Sequence, residues 1–350
     1  MKALFLAGGM GTRLRPLTDR LPKPMVPVMG KPLLERTLDI LKLHGVDDIV
    51  LSTCYKPEAI ERYFGDGSDF GLKIHYVSED IPLGTGGAIK NCENYFDDTF
   101  FIFNADILSN INFSEMLRYH KRKKADVTIA VTRVGNPSDY GVIEYDGNGY
   151  ASSFREKPAP NEVVSHFINA GVYIIEPEIL RRIQSGRAVS VEREVFPKLL
   201  ERGRKIAVYK GCNYWLDIGT PEKYVQAHRD GFEGRLRLPE INFRQRAVYS
   251  RRNAGISGTA TLRGPVYLGR NVRIEDGAVV GPYVVVGDNG VVGKKSEITN
   301  SILWDDVVVE DGVKMTECVV TDGSVVKSAS RHKHVICVPE NLKTVADFAV

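Results

Sequence analysis

Gly8, Gly9 and Gly11 stand directly after the apolar run Lys2-Ala-Leu-Phe-Leu-Ala7, and two cations, Arg13 and Lys23, follow them. A short apolar run ending in glycines reads as a buried strand opening into a loop. Without Cβ atoms, such a loop can turn its N–H groups onto an anion such as a polyphosphate. Arg13 and Lys23 sit where they can fold back over the same phosphates, so the first chemistry indicated is phosphoryl chemistry. Two familiar phosphate loops are excluded. A dinucleotide fingerprint needs a glycine where Leu14 stands, and the GxxxxGK[ST] string of a P-loop does not occur.

The elements that must position this loop are legible as alternating patterns. Lys2–Ala7, Asp48–Thr53, Leu72–Ser78, Thr99–Asn104 and Asp126–Val134 read as strands. Pro32–His44 places Leu33, Leu34, Leu38 and Leu41 on one helical face, and Pro57–Phe64 and Thr85–Tyr95 also read as helices. Strands alternating with helices imply an α/β, mostly parallel sheet covered on both faces. Ligands of such sheets bind beyond the carboxyl ends of the strands. Here those ends carry Gly8, Glu79 and Asp106, which places three site elements on one edge.

Bulk properties narrow the function by exclusion. The chain has 350 residues, room for two domains, with 43% apolar residues, 26% charged residues and a formal charge of +3. So weak a positive balance gives no reason to expect nucleic acid or an anionic membrane surface. The N-terminal apolar run is too short for a secretory signal and leads into the glycine loop, and no segment approaches a membrane span. Five scattered cysteines without a CxxC pair read as reduced thiols of a cytoplasmic protein, not as a zinc site.

The second half carries a different pattern. Ile256, Leu262, Leu268, Ile274, Val280, Val286, Val292 and Ile298 recur at a period of six, with small or β-branched residues four positions after each. After a one-residue slip the register resumes at Leu303, Val309 and Met315. A hexad repeat is the signature of a parallel β-helix, and about twelve hexads at three per turn make about four coils. Between the halves lies an arginine-rich stretch containing Arg229, Arg235, Arg237, Arg244, Arg246, Arg251 and Arg252. It reads either as a polyanion site or as a solvated linker paired with Asp230, Glu233 and Glu240. Its interruption by acids and apolar residues favours the linker.

The string G-G-x-G-T-R-L followed by Pro22-Lys23-Pro24 resembles the signature of the sugar-1-phosphate nucleotidylyltransferases. Pro82-Leu83-Gly84-Thr85-Gly86 looks like the base-binding segment of that family, and Asn104-Ala105-Asp106 like its metal-binding strand end. Tyr140-Gly141-Val142, Phe154-Arg155-Glu156-Lys157-Pro158 and Asn169-Ala170-Gly171-Val172 look like its sugar-phosphate segments, and Trp215-Leu216-Asp217 like its second metal-binding segment. All occur in family order from Met1 to about Arg229, and a hexad domain accompanies several branches. The resemblance implies a GT-A-like, Rossmann-like catalytic domain over residues 1–230, an arginine-rich linker over 231–255, a left-handed parallel β-helix over 256–330 and a tail over 331–350.

In such enzymes a sugar-1-phosphate oxygen attacks the α-phosphorus of a nucleoside triphosphate and pyrophosphate leaves. The resemblance assigns nucleotide binding to Leu6, Ala7, Gly8, Gly9, Gly11, Thr12, Arg13, Lys23, Glu79, Gly84 and Thr85, with Arg13 and Lys23 also neutralising the leaving pyrophosphate. Sugar-phosphate binding falls to Tyr140, Gly141, Glu156, Lys157 and Asn169. Asp106 and Asp217 become the metal ligands, and Mg²⁺ suits two carboxylates completed by phosphate oxygens and waters. Asp217 also precedes Thr220-Pro221, a good N-cap and first helical residue.

Members using uracil or thymine nucleotides carry glutamine where this chain has Glu79. An ionised carboxylate only accepts, and guanine offers adjacent N1–H and N2–H₂ donors, so Glu79 points to GTP. Glu79-x-x-Pro82-Leu83-Gly84-Thr85 and Ser190-Val-Glu-Arg-Glu-Val-Phe-Pro197 further resemble the mannose-1-phosphate guanylyltransferase branch. The alternatives are glucose-1-phosphate uridylyl or thymidylyl transfer, or a catalytically silent sensor of nucleotide-sugars. An acyltransferase role for the β-helix is disfavoured because Arg229–Lys327 contains no histidine and His332 and His334 read as part of a basic tail. The sugar is left open, and the β-helix is expected to drive self-association.

Overall fold

A computed structural model describes residues 1–243 and 247–339. It divides into two compact units that do not follow the sequence boundary at residue 230. One unit holds Met1–Met10, Leu21–Met25 and Thr37–Asp217, and the other holds Gly11–Arg20, Val26–Arg36 and the chain from Ile218 onward.

The first unit is built on a nine-stranded sheet. Lys2–Leu6 lies between Asp48–Thr53 and Phe100–Asn104, parallel to both, and Lys73–Ser78 extends the parallel part on the outer side of Asp48–Thr53. These are apolar runs because both faces are covered: Leu4, Val50, Phe100 and Ile102 are all fully buried in one cluster. The other half of the sheet is largely antiparallel. Phe167–Ile175 runs against Phe100–Asn104 and against Val127–Arg133, and Gly141–Tyr145 pairs with Ala151–Glu156 as a hairpin. Ile206–Tyr209 joins Val127–Arg133 in parallel. The helices Leu33–Leu43 and Pro57–Phe64 fall where periodicity placed them. The helix expected over Thr85–Tyr95 forms as Gly84–Asn91 followed by a tighter turn over Glu93–Tyr95.

At the carboxyl edge of the parallel strands the ladder continues one residue further. Ala7 N donates to Ser52 O at 2.8 Å, Glu79 N to Thr53 O at 2.8 Å and Ala105 N to Leu6 O at 3.2 Å. The first residues of three loops are therefore held in sheet geometry.

The second unit contains the helix Pro221–Phe232, capped by Thr220 with Pro221 as its first residue. It also contains three stacked parallel sheets of six, five and five short strands, the arrangement of a parallel β-helix. Their common core is almost entirely valine, leucine and isoleucine, including Leu268, Val286, Leu303 and Val309, each fully buried. The stack begins at Val248–Ser250 and ends at Ile336–Cys337, so it extends beyond the 256–330 read from the hexads and exceeds four coils.

The slip in the hexads is not a single event. Val248 stands beneath Val266 and Val266 beneath Val284, a spacing of 18 residues, but Val285 meets Ile302 and Ile302 meets Val319, a spacing of 17. One corner shortens in every later coil. The three residues Gly281-Pro282-Tyr283 between Val280 and Val284 give way to Thr299-Asn300 between Ile298 and Ser301. His332 is likewise no tail residue, since Arg331–Lys333 pairs with Lys314–Thr316 inside the stack.

In the arginine-rich stretch, Arg235 pairs with Asp230 at 2.7 Å and Glu233 at 2.6 Å, while Glu240 pairs with Arg36 from outside the stretch. Leu236, Leu238 and Ile241 are buried, so the stretch packs rather than standing free in solvent as a solvated linker would. Arg244 and Arg246 lie outside the described residues, as does the chain beyond 339.

Candidate active site

The carboxyl edge of the parallel strands encloses a cavity of about 350 Å³. Leu6, Ala7, Gly8, Gly9, Lys23, Glu79, Gly84, Thr85 and Asp106 all line it, so most of the residues assigned to nucleotide and metal come together there. Gly11, Thr12 and Arg13 belong to the other compact unit, with Thr12 and Arg13 exposed on a short turn over Thr12–Leu14.

Two glycines face crowded space, and at Gly84 the backbone requires one. A Cβ on Gly8 would come within 3.2 Å of the Cys54 side chain and 3.5 Å of Glu79 Oε1. Gly84 adopts φ +68°, and a Cβ there would stand 2.7 Å from the Val189 carbonyl oxygen. Gly84 thereby lets the helix start pack against the Val189 backbone, which also accepts from Gly86 N at 2.8 Å.

Glu79 is buried, and both of its oxygens are engaged. Ser52 Oγ donates to Oε1 at 2.8 Å and Leu83 N donates to Oε2 at 2.9 Å. Each carboxylate oxygen retains a second lone pair for a ligand donor. Cys54 lines the same wall, and burial, reinforced by the Glu79 charge, raises its thiol pKa, so it stays protonated.

The charged end of the cavity is built from Lys23 and Asp106, whose Nζ and Oδ2 stand 2.5 Å apart. Asp217 is brought to this end by a local device. Trp215–Asp217 pairs antiparallel with Ile107–Ser109, which sets Asp217 opposite Ile107, the neighbour of Asp106. The Tyr140 hydroxyl donates to Asp217 Oδ1 at 3.2 Å, and Trp215 Nε1 donates to the Ala170 carbonyl at 2.9 Å. Among the described residues no group of three or more His, Cys, Asp or Glu side chains forms a closed metal cage. Asp106 opens on the cavity and Asp217 stands on the neighbouring ladder, and two such hard carboxylates fit an ion that takes its remaining ligands from water and substrate phosphate.

The residues assigned to the sugar phosphate form a second cluster in the same unit. Gly141 pairs in register with Glu156, and a Cβ at Gly141 would stand 2.7 Å from Glu156 Oε2, so this glycine makes room for the carboxyl. Lys157 follows with φ +51°, held by its N–H to the Tyr140 carbonyl at 3.0 Å. So strained a backbone at a non-glycine residue is the kind found where a side chain must be aimed. Asn169 Nδ2 donates to the Tyr173 hydroxyl at 2.7 Å while its Oδ1 accepts from Gly171 N at 2.9 Å. Burial, then the nearby Glu192 charge, raises the Glu156 pKa.

Glu192 was not singled out from the sequence, yet it joins the two clusters. Its Oε2 accepts from Thr85 Oγ1 at 2.6 Å and from Ser190 Oγ at 2.9 Å, and the Thr85 hydroxyl in turn accepts from Val191 N at 2.9 Å. The Thr85 hydroxyl is thus committed to the protein. The only signal in the sequence was an acid between the apolar Val191 and Val195 of a segment noted as a whole. Asn104 is a second addition: it lines the cavity, and its buried Oδ1 has no protein partner.

A family model described as nucleotidyl transferase matches residues 2–233. The chain belongs to this family. A second model, described as GMPPB C-terminal domain, matches residues 262–350 of this nucleotidyl transferase. It is 39% identical over 321 residues to the mannose-1-phosphate guanylyltransferase of Mycobacterium tuberculosis, covering 91% of this chain and 82% of the relative. It is 34% identical over 339 residues to a UTP–glucose-1-phosphate uridylyltransferase of Synechocystis, covering 91% and 87%. The crystal structure of HddC from Yersinia pseudotuberculosis complexed with GMP-PN is 31% identical with a TM-score of 0.56, covering 65% of this chain and 97% of that one. The nucleotidyl transferase is an enzyme of the sugar-1-phosphate class, and both halves of its architecture agree with the sequence reading. No helix among its described residues is long and apolar enough to cross a membrane.

Proposed function

We propose that this nucleotidyl transferase makes GDP-mannose from GTP and mannose-1-phosphate. The observation that carries the base assignment is Glu79, a buried acceptor at the cavity wall with a spare lone pair on each oxygen. Guanine presents two adjacent donors to such a group, whereas uracil would set a carbonyl against it. The relative named for mannose-1-phosphate and guanylyl transfer supports the same pair.

In the reaction an oxygen of the sugar phosphate forms a bond to the α-phosphorus as the bond to pyrophosphate breaks. The nucleophile is already ionised at neutral pH, so the protein's work is to align two anions and to stabilise charge on the leaving group. Gly8 and Gly9 bring backbone N–H groups close to the triphosphate. Lys23 exchanges its contact with Asp106 for the phosphates, and Arg13 is the second cation assigned to neutralise them. Lys157 holds the sugar phosphate, with Glu156 and Asn169 accepting from or donating to sugar hydroxyls. Asp106 and Asp217 would hold Mg²⁺, which when bound neutralises phosphate charge.

Five free thiols accord with a reducing cytoplasm. We assign self-association to the β-helix surface, where Ile256 of the first coil and the outward-facing Val325 are exposed.

Pyrophosphate release measured for GTP, UTP, dTTP and ATP against mannose-1-phosphate and glucose-1-phosphate tests the reading. GTP with mannose-1-phosphate should turn over fastest. Faster turnover with UTP or dTTP overturns the base assignment, and tight nucleotide-sugar binding without turnover of any pair overturns catalysis.

A further inference from the structure

Two large aromatic side chains of the β-helix stand outside its aliphatic core. Tyr267 and Trp304 are almost completely buried, yet the cluster that fills the coils does not include them, and the hexad pattern has no use for aromatics there. Both serve one short segment of the same compact unit, Val26–Gly30, which follows Lys23 in the chain.

Every carbonyl from Val26 to Met29 is held. Val26 O accepts from Leu33 N at 3.0 Å, Pro27 O from the Tyr224 hydroxyl at 2.8 Å, Val28 O from Arg36 Nε at 2.9 Å and Met29 O from Arg36 Nη2 at 2.5 Å. Arg36 is anchored in turn by Glu240. Gly30, at φ +77°, lies against Tyr267 so closely that a Cβ would fall 2.3 Å from the tyrosine oxygen. Tyr224, on the helix Pro221–Phe232, is fully buried and accepts from Trp304 Nε1 at 2.8 Å. Its single hydroxyl proton is directed to Pro27 by that arrangement, since the indole can only donate.

The connection from Pro27 back to Lys23 is short and stiff. Lys23 stands in a turn closed by Met25 N to Pro22 O at 2.8 Å, and Pro24 and Pro27 each fix a backbone torsion on the way to it. A displacement of Pro27 therefore has few torsions in which to be absorbed before it reaches the lysine.

We propose that Trp304 and Tyr224 are positioning residues for Lys23, so that the β-helix sets the geometry of phosphate chemistry through the relay Trp304–Tyr224–Pro27. The proposal rests on the reading of Lys23 as a phosphate ligand of the reaction. It gives the β-helix a catalytic duty separate from self-association.

The test is a double-mutant cycle on the full-length enzyme with GTP and mannose-1-phosphate. Tyr224→Phe keeps the ring and removes both hydrogen bonds. It should lower kcat about three- to tenfold, with KM for both substrates within about twofold of wild type. In a Lys23→Ala background the same substitution should change kcat by less than about twofold, because the group it positions is gone. Equal losses in both backgrounds, a change confined to KM, or an unchanged kcat overturns the relay. Lys23→Ala leaving kcat intact overturns the reading of Lys23 itself, and the relay with it. Should Tyr224→Phe fail to fold, Trp304→Phe preserves the Tyr224–Pro27 bond and should show a smaller loss with the same dependence on Lys23.

Discussion

Replacing Glu79 by glutamine changes one atom's chemistry in a site whose partners are known. Ser52 donates a hydroxyl to Oε1 and Leu83 donates a backbone N–H to Oε2. The Leu83 N–H can only donate, so the glutamine oxygen must face it. The new amide NH₂ then faces Ser52, whose hydroxyl can rotate and accept. Both protein contacts survive, and the melting temperature should move little. What is lost is an acceptor toward guanine, because the oxygen nearer Ser52 has become a donor that opposes a guanine N–H. A hydrogen bond to a charged group contributes about 1.5–3 kcal/mol. At about 1.4 kcal/mol per decade, kcat/KM for GTP should fall about 10- to 150-fold. UTP should gain, since an amide can match the acceptor–donor–acceptor edge of uracil. Initial rates of pyrophosphate release with each nucleotide measure both changes. A GTP rate within about twofold of wild type, in a folded variant, refutes Glu79 as the group that reads the base.

Other perturbations probe the surroundings of the site and the second unit. Glu156 carries a pKa raised by burial and by Glu192, so its charged form destabilises the fold above the usual carboxylate range. Glu156→Gln should therefore raise the melting temperature at neutral pH, with the gain shrinking under acid as the wild-type group protonates, while KM for the sugar phosphate rises. Asp322 is pushed up to about 6 by burial and by Asp305, so its contribution to stability is present at low pH and lost as pH rises through that value. Asp322→Asn keeps an acceptor for Asp305 N, which lies 3.1 Å from Oδ1, and should melt higher than wild type at about pH 7.5 but equally at about pH 4. Gly84→Ala forces a methyl against the Val189 carbonyl at positive φ; it should cost about 1–2 kcal/mol from the backbone alone and weaken nucleotide binding, measured by chemical denaturation and by titration.

Parts of this architecture were legible because one local property decided them. Strands such as Lys2–Leu6 and Asp48–Thr53 are buried on both faces and read as unbroken apolar runs, and their shared carboxyl edge followed from the alternation with helices. The hexads were legible for the same reason, since each coil repeats one inward position. Ala151–Glu156 escaped assignment because only Phe154 is buried along it, which leaves no alternation to detect. Glu192 escaped because its role depends on Thr85, 107 residues away in the chain. The grouping of Gly11–Arg20 and Val26–Arg36 with the β-helix could not be read at all. For Val26–Arg36 it rests on Tyr224, Tyr267 and Glu240, whose partners lie some two hundred residues upstream and whose types alone carry no such message. The repeated shortening of one β-helix corner was visible only once, because the later slips, between Met315 and Val320 and between His332 and Cys337, leave too few hexads between them to establish a register.

The most direct measurement is a competition. Full-length enzyme with magnesium is given equal GTP and UTP together with equal mannose-1-phosphate and glucose-1-phosphate, and the nucleotide-sugars formed are separated and identified by mass. The account predicts GDP-mannose as the dominant product, formed in step with pyrophosphate. UDP-glucose as the dominant product, or no nucleotide-sugar from any pair, would contradict it.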